Sequence, residues 1–187
     1  RPELTTAVEH ARRWLDGIAD RPIPATARHA DIAAGIPDRI PEHGADPQRV
    51  VEELIGHVEP GLMAIQSPRF YGWVMGGTLP ASLAADWLVS AWDQNAGMRD
   101  ATPGVVAIED AAGRWLLDVL ELPRTAAVGF VTGGTLANFT CLAAARDTVL
   151  HDRGWDVAAD GLTDAPLVRV LAGAERHSSI DLALRYL

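Results

Sequence analysis

The run Val128-Gly129-Phe130-Val131-Thr132-Gly133-Gly134-Thr135-Leu136-Ala137-Asn138 limits the possible folds more than any other part of this chain. A short apolar stretch enters a double glycine and a threonine, and helix-forming residues follow at once. Glycine backbone bends freely and lets a ligand come close. The first free N–H groups of the following helix, with its positive dipole end, face whatever anion lies there. The run therefore reads in two ways. One is a phosphate cup, with the N–H groups of Gly134 and Thr135 and the Thr135 hydroxyl as donors. The other is a plain strand-to-helix turn with Thr135 as the cap. It is not a P-loop, because no Gly-Lys-Ser/Thr follows, and it is not Gly-x-Gly-x-x-Gly.

The surroundings of this run predict an α/β layer. Residues 126–131 form a short apolar run of the kind covered on both faces of a parallel sheet. A helix is expected over about 135–150, then a polar stretch over 151–165. A second buried-type strand is expected at 167–171, and a helix starts at Ser178. Strand, helix, strand, helix is the order of a parallel α/β unit. Two strands cannot make a doubly covered sheet. The expectation is that the remaining strands come from elsewhere and that this is the N-terminal part of something larger.

The segment before residue 96 is helical in pattern. Leu4, Val8, Ala11, Trp14, Leu15 and Ile18 fall at helical spacing. Residues 21–48 carry Pro22, Pro24, Pro37, Pro41 and Pro47, a density that no long helix or strand survives, so an extended connector is expected there. Such a segment usually lies on another surface, for instance that of a second subunit. Asp46-Pro47, Pro80 and Thr102-Pro103 mark three further helix starts. The aromatic stretch Phe70-Tyr71-Gly72-Trp73 is expected in the core. Gly76-Gly77 beside it would let a ligand or another backbone approach. Asp93-Gln94-Asn95 reads as a loop of ordinary turn residues.

Composition excludes several functions. The chain has 187 residues, 48% hydrophobic and 22% charged, with a net charge of −9, which gives no electrostatic footprint for nucleic acid or an anionic membrane. No run approaches the roughly 18 apolar residues of a membrane span, and Arg1-Pro2-Glu3-Leu4 does not lead into the apolar stretch of a secretory signal. The single cysteine, Cys141, fits a reducing, cytoplasmic setting and is expected to be a small buried residue. All 16 basic residues are Arg, and there is no Lys.

His177, just past the second predicted strand, stands at the carboxyl edge of the sheet, where α/β folds place ligands. A neutral imidazole there could stack on a flat ring or move a proton; it could equally cap the helix that begins at Ser178. Glu175 and Asp181 read as solvated helix-end residues. His10, His29, His43, His57 and His151 show no metal spacing and are assigned to the surface, so no metal site is expected.

In order along the chain, several motifs together carry a family resemblance. They are Ser67-Pro68-Arg69-Phe70-Tyr71-Gly72, Pro80-Ala81 with Ala85-Asp86, and Asp93-Gln94-Asn95. Glu109, Trp115-Leu116, Leu122-Pro123, Thr132 to Asn138, Ala143-Ala144-Ala145-Arg146 and Glu175 to Ser179 follow. This set resembles the N-terminal half of the group II pyridoxal-phosphate-dependent amino acid decarboxylases, the family of the aromatic amino acid, glutamate and histidine decarboxylases. The resemblance covers about residues 50–187.

It implies a fold type I enzyme: a mostly parallel sheet with flanking helices, incomplete here, preceded by a helical extension. Residues 1–95 would wrap the partner subunit of a homodimer, and 96–187 would begin the cofactor-binding large domain. Pyridoxal 5′-phosphate would be the cofactor, with Gly133, Gly134 and Thr135 around its phosphate and His177, the catalytic residue, on its pyridine ring. Trp73, Val74, Met75 and Gly76 would lie near the side chain of the amino acid substrate. The implied reaction is loss of the α-carboxylate of an L-amino acid as CO₂. The alternatives are another fold type I chemistry (oxidative deamination to an aldehyde, or an aldol-type lyase) and a non-catalytic remnant or dimerisation module. The chain departs from the family at Ser67, where His is usual. Two family elements have no counterpart in it: the Asp that pairs with the pyridine nitrogen, and the Lys that joins the cofactor's aldehyde through a Schiff base. Without Lys the chain is expected to be inactive alone.

Overall fold

The computed structural model describes all of residues 1–187. Two compact units divide between Asp93 and Gln94. The first holds α1 (Pro2–Asp16), α2 (His29–Ala33), α3 (Pro47–Val58), a 3-10 turn at Glu59–Gly61, and α4 (Pro80–Trp92).

Helix α3 starts as its sequence dictates: Asp46 accepts the Arg49 N–H at 3.1 Å, and Pro47 fills the first helical position. Such a cap is worth about 1 kcal/mol. Helix α1 packs on α3. Near that junction the Arg21 guanidinium sits 4.0 Å over the Trp14 ring and pairs with Glu59. His10 Nδ1 lies 3.6 Å from the other Glu59 oxygen. His10 is thus half-buried and partnered, not a free surface residue.

The proline-rich connector also differs from expectation. Its first part lies on its own unit: the N–H groups of Thr26 and Ala27 both donate to the Pro60 carbonyl at 2.9 Å, and the Ala64 N–H donates to Ile23 O at 3.1 Å. Arg69 Nη2 donates to Arg21 O at 2.6 Å. One short helix, α2, forms in the proline-free window between Pro24 and Pro37. There the Arg28 side chain, and then its N–H, hold the Asp31 carboxyl below its ordinary pKa. Residues 33–47 are exposed throughout.

The aromatic stretch is not core. Phe70 is half-buried, but Tyr71 and Trp73 are exposed. Phe70 and Trp73 meet edge to face with centroids 6.1 Å apart. Backbone geometry explains the outward turn: Trp73, Val74, Gly76 and Gly77 all have positive φ, at 54°, 53°, 110° and 77°. Left-handed backbone is costly for a β-branched residue such as Val74. At Gly76 the close approach is made by another stretch of backbone, since a Cβ there would stand 2.3 Å from the Ile65 carbonyl oxygen. Ser67, in the turn just before, is buried, and its Oγ accepts the Arg69 N–H at 3.3 Å. The departure from the family's usual His thus places a small side chain in a closed turn.

The second unit holds α5 (Pro103–Val119), α6 (Gly134–His151), α7 (Val157–Asp160) and α8 (Ser178–Tyr186). Val106, Gly113 and Leu117 form the buried side of α5. Gly113 has no side chain to keep Val128 away, and a Cβ there would meet Val128 Cβ at 3.5 Å. Thr102 does not cap α5 with its side chain; its Oγ1 donates backwards to the carbonyl oxygens of Met98 and Asn95. Asn95 closes its own turn by accepting the Gly97 N–H at 2.8 Å.

The two predicted strands carry no hydrogen-bonded ladder. Residues 126–131 and 167–171 are not in helix, and no backbone hydrogen bond joins either to another strand; Ala126 N–H donates to Pro123 O in a turn, and Leu167 O accepts from Arg153 Nη1 at 3.2 Å. A strand exists by virtue of a neighbour about 4.8 Å away, and this chain offers no neighbour to either segment. Phe130 and Leu171 are left exposed, at 51% and 91%.

Gly76→Ala tests the account of the 73–77 turn. The added methyl meets both positive φ and the Ile65 carbonyl, so a loss of about 2 kcal/mol or more is expected. Urea unfolding of the variant beside Gly77→Ala, where the space is open, measures it.

Candidate cofactor-binding site

Helix α6 begins where the Gly-Gly-Thr turn predicts. Gly133 is its N-cap and supplies no side-chain cap; the first intrahelical bond runs from the Ala137 N–H to Gly133 O at 3.0 Å. The N–H groups of Gly134, Thr135 and Leu136 are therefore left pointing out of the helix without intrahelical partners. Thr135 Oγ1 makes no hydrogen bond, so the helix start is not capped by Thr135. Open space surrounds the positions where Cβ atoms of Gly133 and Gly134 would stand. A cavity of ≈ 670 Å³ opens here, lined by Thr132, Gly133, Gly134, Thr135, Leu136, Phe139 and Tyr186. Three converging donors, a free hydroxyl and the positive end of an 18-residue helix suit a phosphate.

His177 does not line that cavity. It is the N-cap of α8, and its Nδ1 accepts the Ser179 N–H at 3.2 Å. Nδ1 also lies 2.8 Å from Ser179 Oγ, which receives a hydrogen bond from Asn138 Nδ2 at 2.8 Å. Asn138 stands one turn into α6 from Thr135, so the cup and the histidine are joined by two side chains. Sequence reasoning missed Asn138 and Ser179 as parts of the site, although both lie inside the motifs it quoted. Glu175 is exposed. Asp181 is not merely solvated: Arg176 Nε donates to it at 2.8 Å.

The contact that sets this geometry is the packing of α6 on α8. Asn138 bonds Ser179, and Arg146 Nη1 bonds Leu187 O at 3.2 Å. Both pairs are 41 residues apart, so the helices run side by side in the same direction. Between the two clasps stands Ala183, fully buried at 0% exposure. Leu150, at 1%, closes the far end of α6; burying a leucine side chain is worth about 1.5–3 kcal/mol. Cys141 lies on a flank of α6 that α8 does not cover and is exposed, contrary to the expectation of burial.

Trp73, Val74, Met75 and Gly76 belong to the first unit, where the side chains of Trp73, Val74 and Met75 are exposed. No group of three or more His, Cys, Asp or Glu side chains is placed to hold a metal ion. No helix is long and apolar enough to cross a membrane.

Comparison with known proteins bears on this site. Residues 30–187 match the model of the pyridoxal-dependent decarboxylase conserved domain. An aromatic-L-amino-acid decarboxylase of Bacillus atrophaeus is 27% identical over 173 residues, which are 92% of this chain and 34% of that protein. A 4-hydroxyphenylacetaldehyde synthase of Rhodiola rosea is 25% identical over 160 residues, 82% of this chain and 33% of that protein. The chain thus spans about a third of the length of the curated relatives it matches. The crystal structure of the Rhodiola rosea synthase superposes with a TM-score of 0.78 at 20% identity, over 98% of this chain and 39% of that one. That likeness speaks for the fold alone. The family's cofactor, pyridoxal phosphate, carries the phosphate that the start of α6 fits.

If Ala183 sets the spacing of α6 and α8, Ala183→Leu must force them apart. A loss of about 1–3 kcal/mol is expected, and thermal unfolding of Ala183→Leu beside Ala183→Gly measures it. With the family model matching residues 30–187, most of its length, the chain belongs to the pyridoxal-dependent decarboxylases.

Proposed function

We propose that this chain is the N-terminal part of a decarboxylase that removes the α-carboxylate of an L-amino acid as CO₂. The observation that carries the proposal is the open, donor-rich start of α6 at the mouth of the 670 Å³ cavity, in a chain of this family. In this reading the N–H groups of Gly134 and Thr135 and the Thr135 hydroxyl hold the cofactor's phosphate, and Gly133 keeps the approach clear. His177 stacks on the pyridine ring, and Trp73, Val74, Met75 and Gly76 border the substrate side chain. Bound pyridoxal phosphate supplies an electron sink for the pair left at Cα when CO₂ departs. The protein's share is to bind the phosphate, orient the ring and exclude water. Relatives named for aromatic amino acids support an aromatic substrate side chain.

The same reading assigns 1–95 to wrapping the partner subunit of a homodimer. Exposed apolar residues such as Ile40, Val50 and Leu54 support it. It assigns 96–187 to the start of a fold type I large domain, where 126–131 and 167–171 join a parallel sheet. The lone cysteine and acidic surface suit a cytoplasmic enzyme.

A second reading is aldehyde formation, favoured by the sequence likeness to a 4-hydroxyphenylacetaldehyde synthase. The full-length enzyme incubated with phenylalanine, tyrosine or tryptophan separates the two: CO₂ with an amine and no uptake of O₂, or CO₂ with an aldehyde, ammonia and hydrogen peroxide, O₂ being consumed as the oxidant. The first outcome is expected. Thr135→Ala in that enzyme removes one donor to a charged group, so cofactor affinity is expected to fall about tenfold or more. Unchanged affinity overturns the cup.

Residues 1–187 contain no Lys. Alone, the chain is expected to bind pyridoxal phosphate reversibly, without the visible absorbance of amine-condensed cofactor and without turnover. Dialysis followed by absorbance spectroscopy checks this.

A further inference from the structure

Two polar side chains have no part in the phosphate cup, yet they form a chain to His177: Asn138 bonds Ser179, and Ser179 bonds the imidazole. Ser179 is only 7% exposed, an unusual place for a hydroxyl unless its hydrogen bonds are satisfied. Its Oγ receives Asn138 Nδ2–H at 2.8 Å and lies 2.8 Å from His177 Nδ1. The Ser179 backbone N–H donates to that same Nδ1 at 3.2 Å. A backbone N–H can only donate, so the nitrogen that receives it carries no hydrogen. In a neutral imidazole the other nitrogen then holds the proton. The hydroxyl fits this direction: it accepts from the asparagine amide and passes its own hydrogen to Nδ1. The hydrogen bonds from Asn138 to Ser179 and from Ser179 to His177 then run in one consistent direction.

We infer that Ser179, held by Asn138, is a positioning residue that fixes His177 as its Nε2–H tautomer and fixes the plane of its ring. Capping α8 and serving the site are the same act. The cap bond and the Ser179 hydroxyl together hold Nδ1 as an acceptor and leave Nε2–H, which has no partner within the chain, as the ring's one donor. Asn138 ties this choice to α6, so the histidine is oriented by the helix that carries the phosphate cup. The inference rests on the reading of His177 as a residue of the cofactor site, and only its effect on catalysis depends on that reading.

The test uses the full-length enzyme labelled with ¹⁵N-histidine, with and without pyridoxal phosphate, the His177 signals being identified by their loss in His177→Gln. Nitrogens with and without a hydrogen resonate far apart. The expected result is an unprotonated Nδ1 and a protonated Nε2 before cofactor is added. Ser179→Ala keeps the backbone donor but loses the hydroxyl and the link to α6, so a mixture of tautomers is expected, with kcat down about tenfold. Ser179→Thr, which keeps the hydroxyl, is expected to restore both. A single Nε2–H tautomer retained in Ser179→Ala, or a protonated Nδ1 in the unsubstituted enzyme, overturns the inference. Full activity of His177→Gln overturns the site reading instead, and the nitrogen signals still decide the tautomer.

Discussion

Most of what this chain can do depends on how closely α6 approaches α8. Two parallel helices meet along a ridge of Asn138, Leu142, Arg146 and Leu150, and the facing ridge carries Ser179 and Ala183. The methyl of Ala183 is the smallest side chain that still excludes water, and it lets the flanking hydrogen bonds close at 2.8 and 3.2 Å. A larger residue would lengthen both. In the proposed site the start of α6 would hold the phosphate and His177, the cap of α8, would hold the ring, so the separation of these helices would also be the separation of those two groups.

The rest of the structure is held less firmly. Only Ala64, Val106, Leu117, Leu150 and Ala183 form the fully buried apolar core. The first unit gains much of its order from backbone bonds between the connector and the Glu59–Gly61 turn, and from Arg21 between Trp14 and Glu59. Cation–π contacts of this kind contribute about 0.5–2 kcal/mol. Phe130, Leu167 and Leu171 remain exposed on extended backbone with no ladder. An unpaired apolar strand segment is the natural template for another strand, as a larger sheet requires.

His177 shows how a bland reading and a functional one can be the same. Its residue type and position admit either a helix cap or a ring-facing group. The structure makes it a cap, with Nδ1 facing the Ser179 N–H and hydroxyl. Gly76 goes differently: of the two partners its lack of a side chain admits, ligand or backbone, it meets the Ile65 carbonyl.

By itself the sequence determined where most of the longer helices start, because capping and proline rules act over three or four residues: Pro47, Pro80, Pro103 and Ser178 are each the first residue of a helix, and α6 begins at Gly134, one residue before the expected Thr135; the short α2 and α7 were not foreseen. It also determined where free N–H donors stand, since the first turn of any helix leaves its N–H groups without partners and glycines there keep the approach open, and it determined that no Lys is present. Only the tertiary structure decided what packs against what. Tyr71 and Trp73 are apolar enough for a core yet turn outward, because left-handed backbone at 73 and 74 points them away. Cys141 suits a buried helix but lies on a flank that α8 leaves bare. The two strands have every local mark of strands and form none, because a ladder is a relation between segments and no residue carries its partner within itself. Asn138 and Ser179 joined the site for the same reason: 41 residues separate them along the chain, and only the packing of two helices brings them to 2.8 Å.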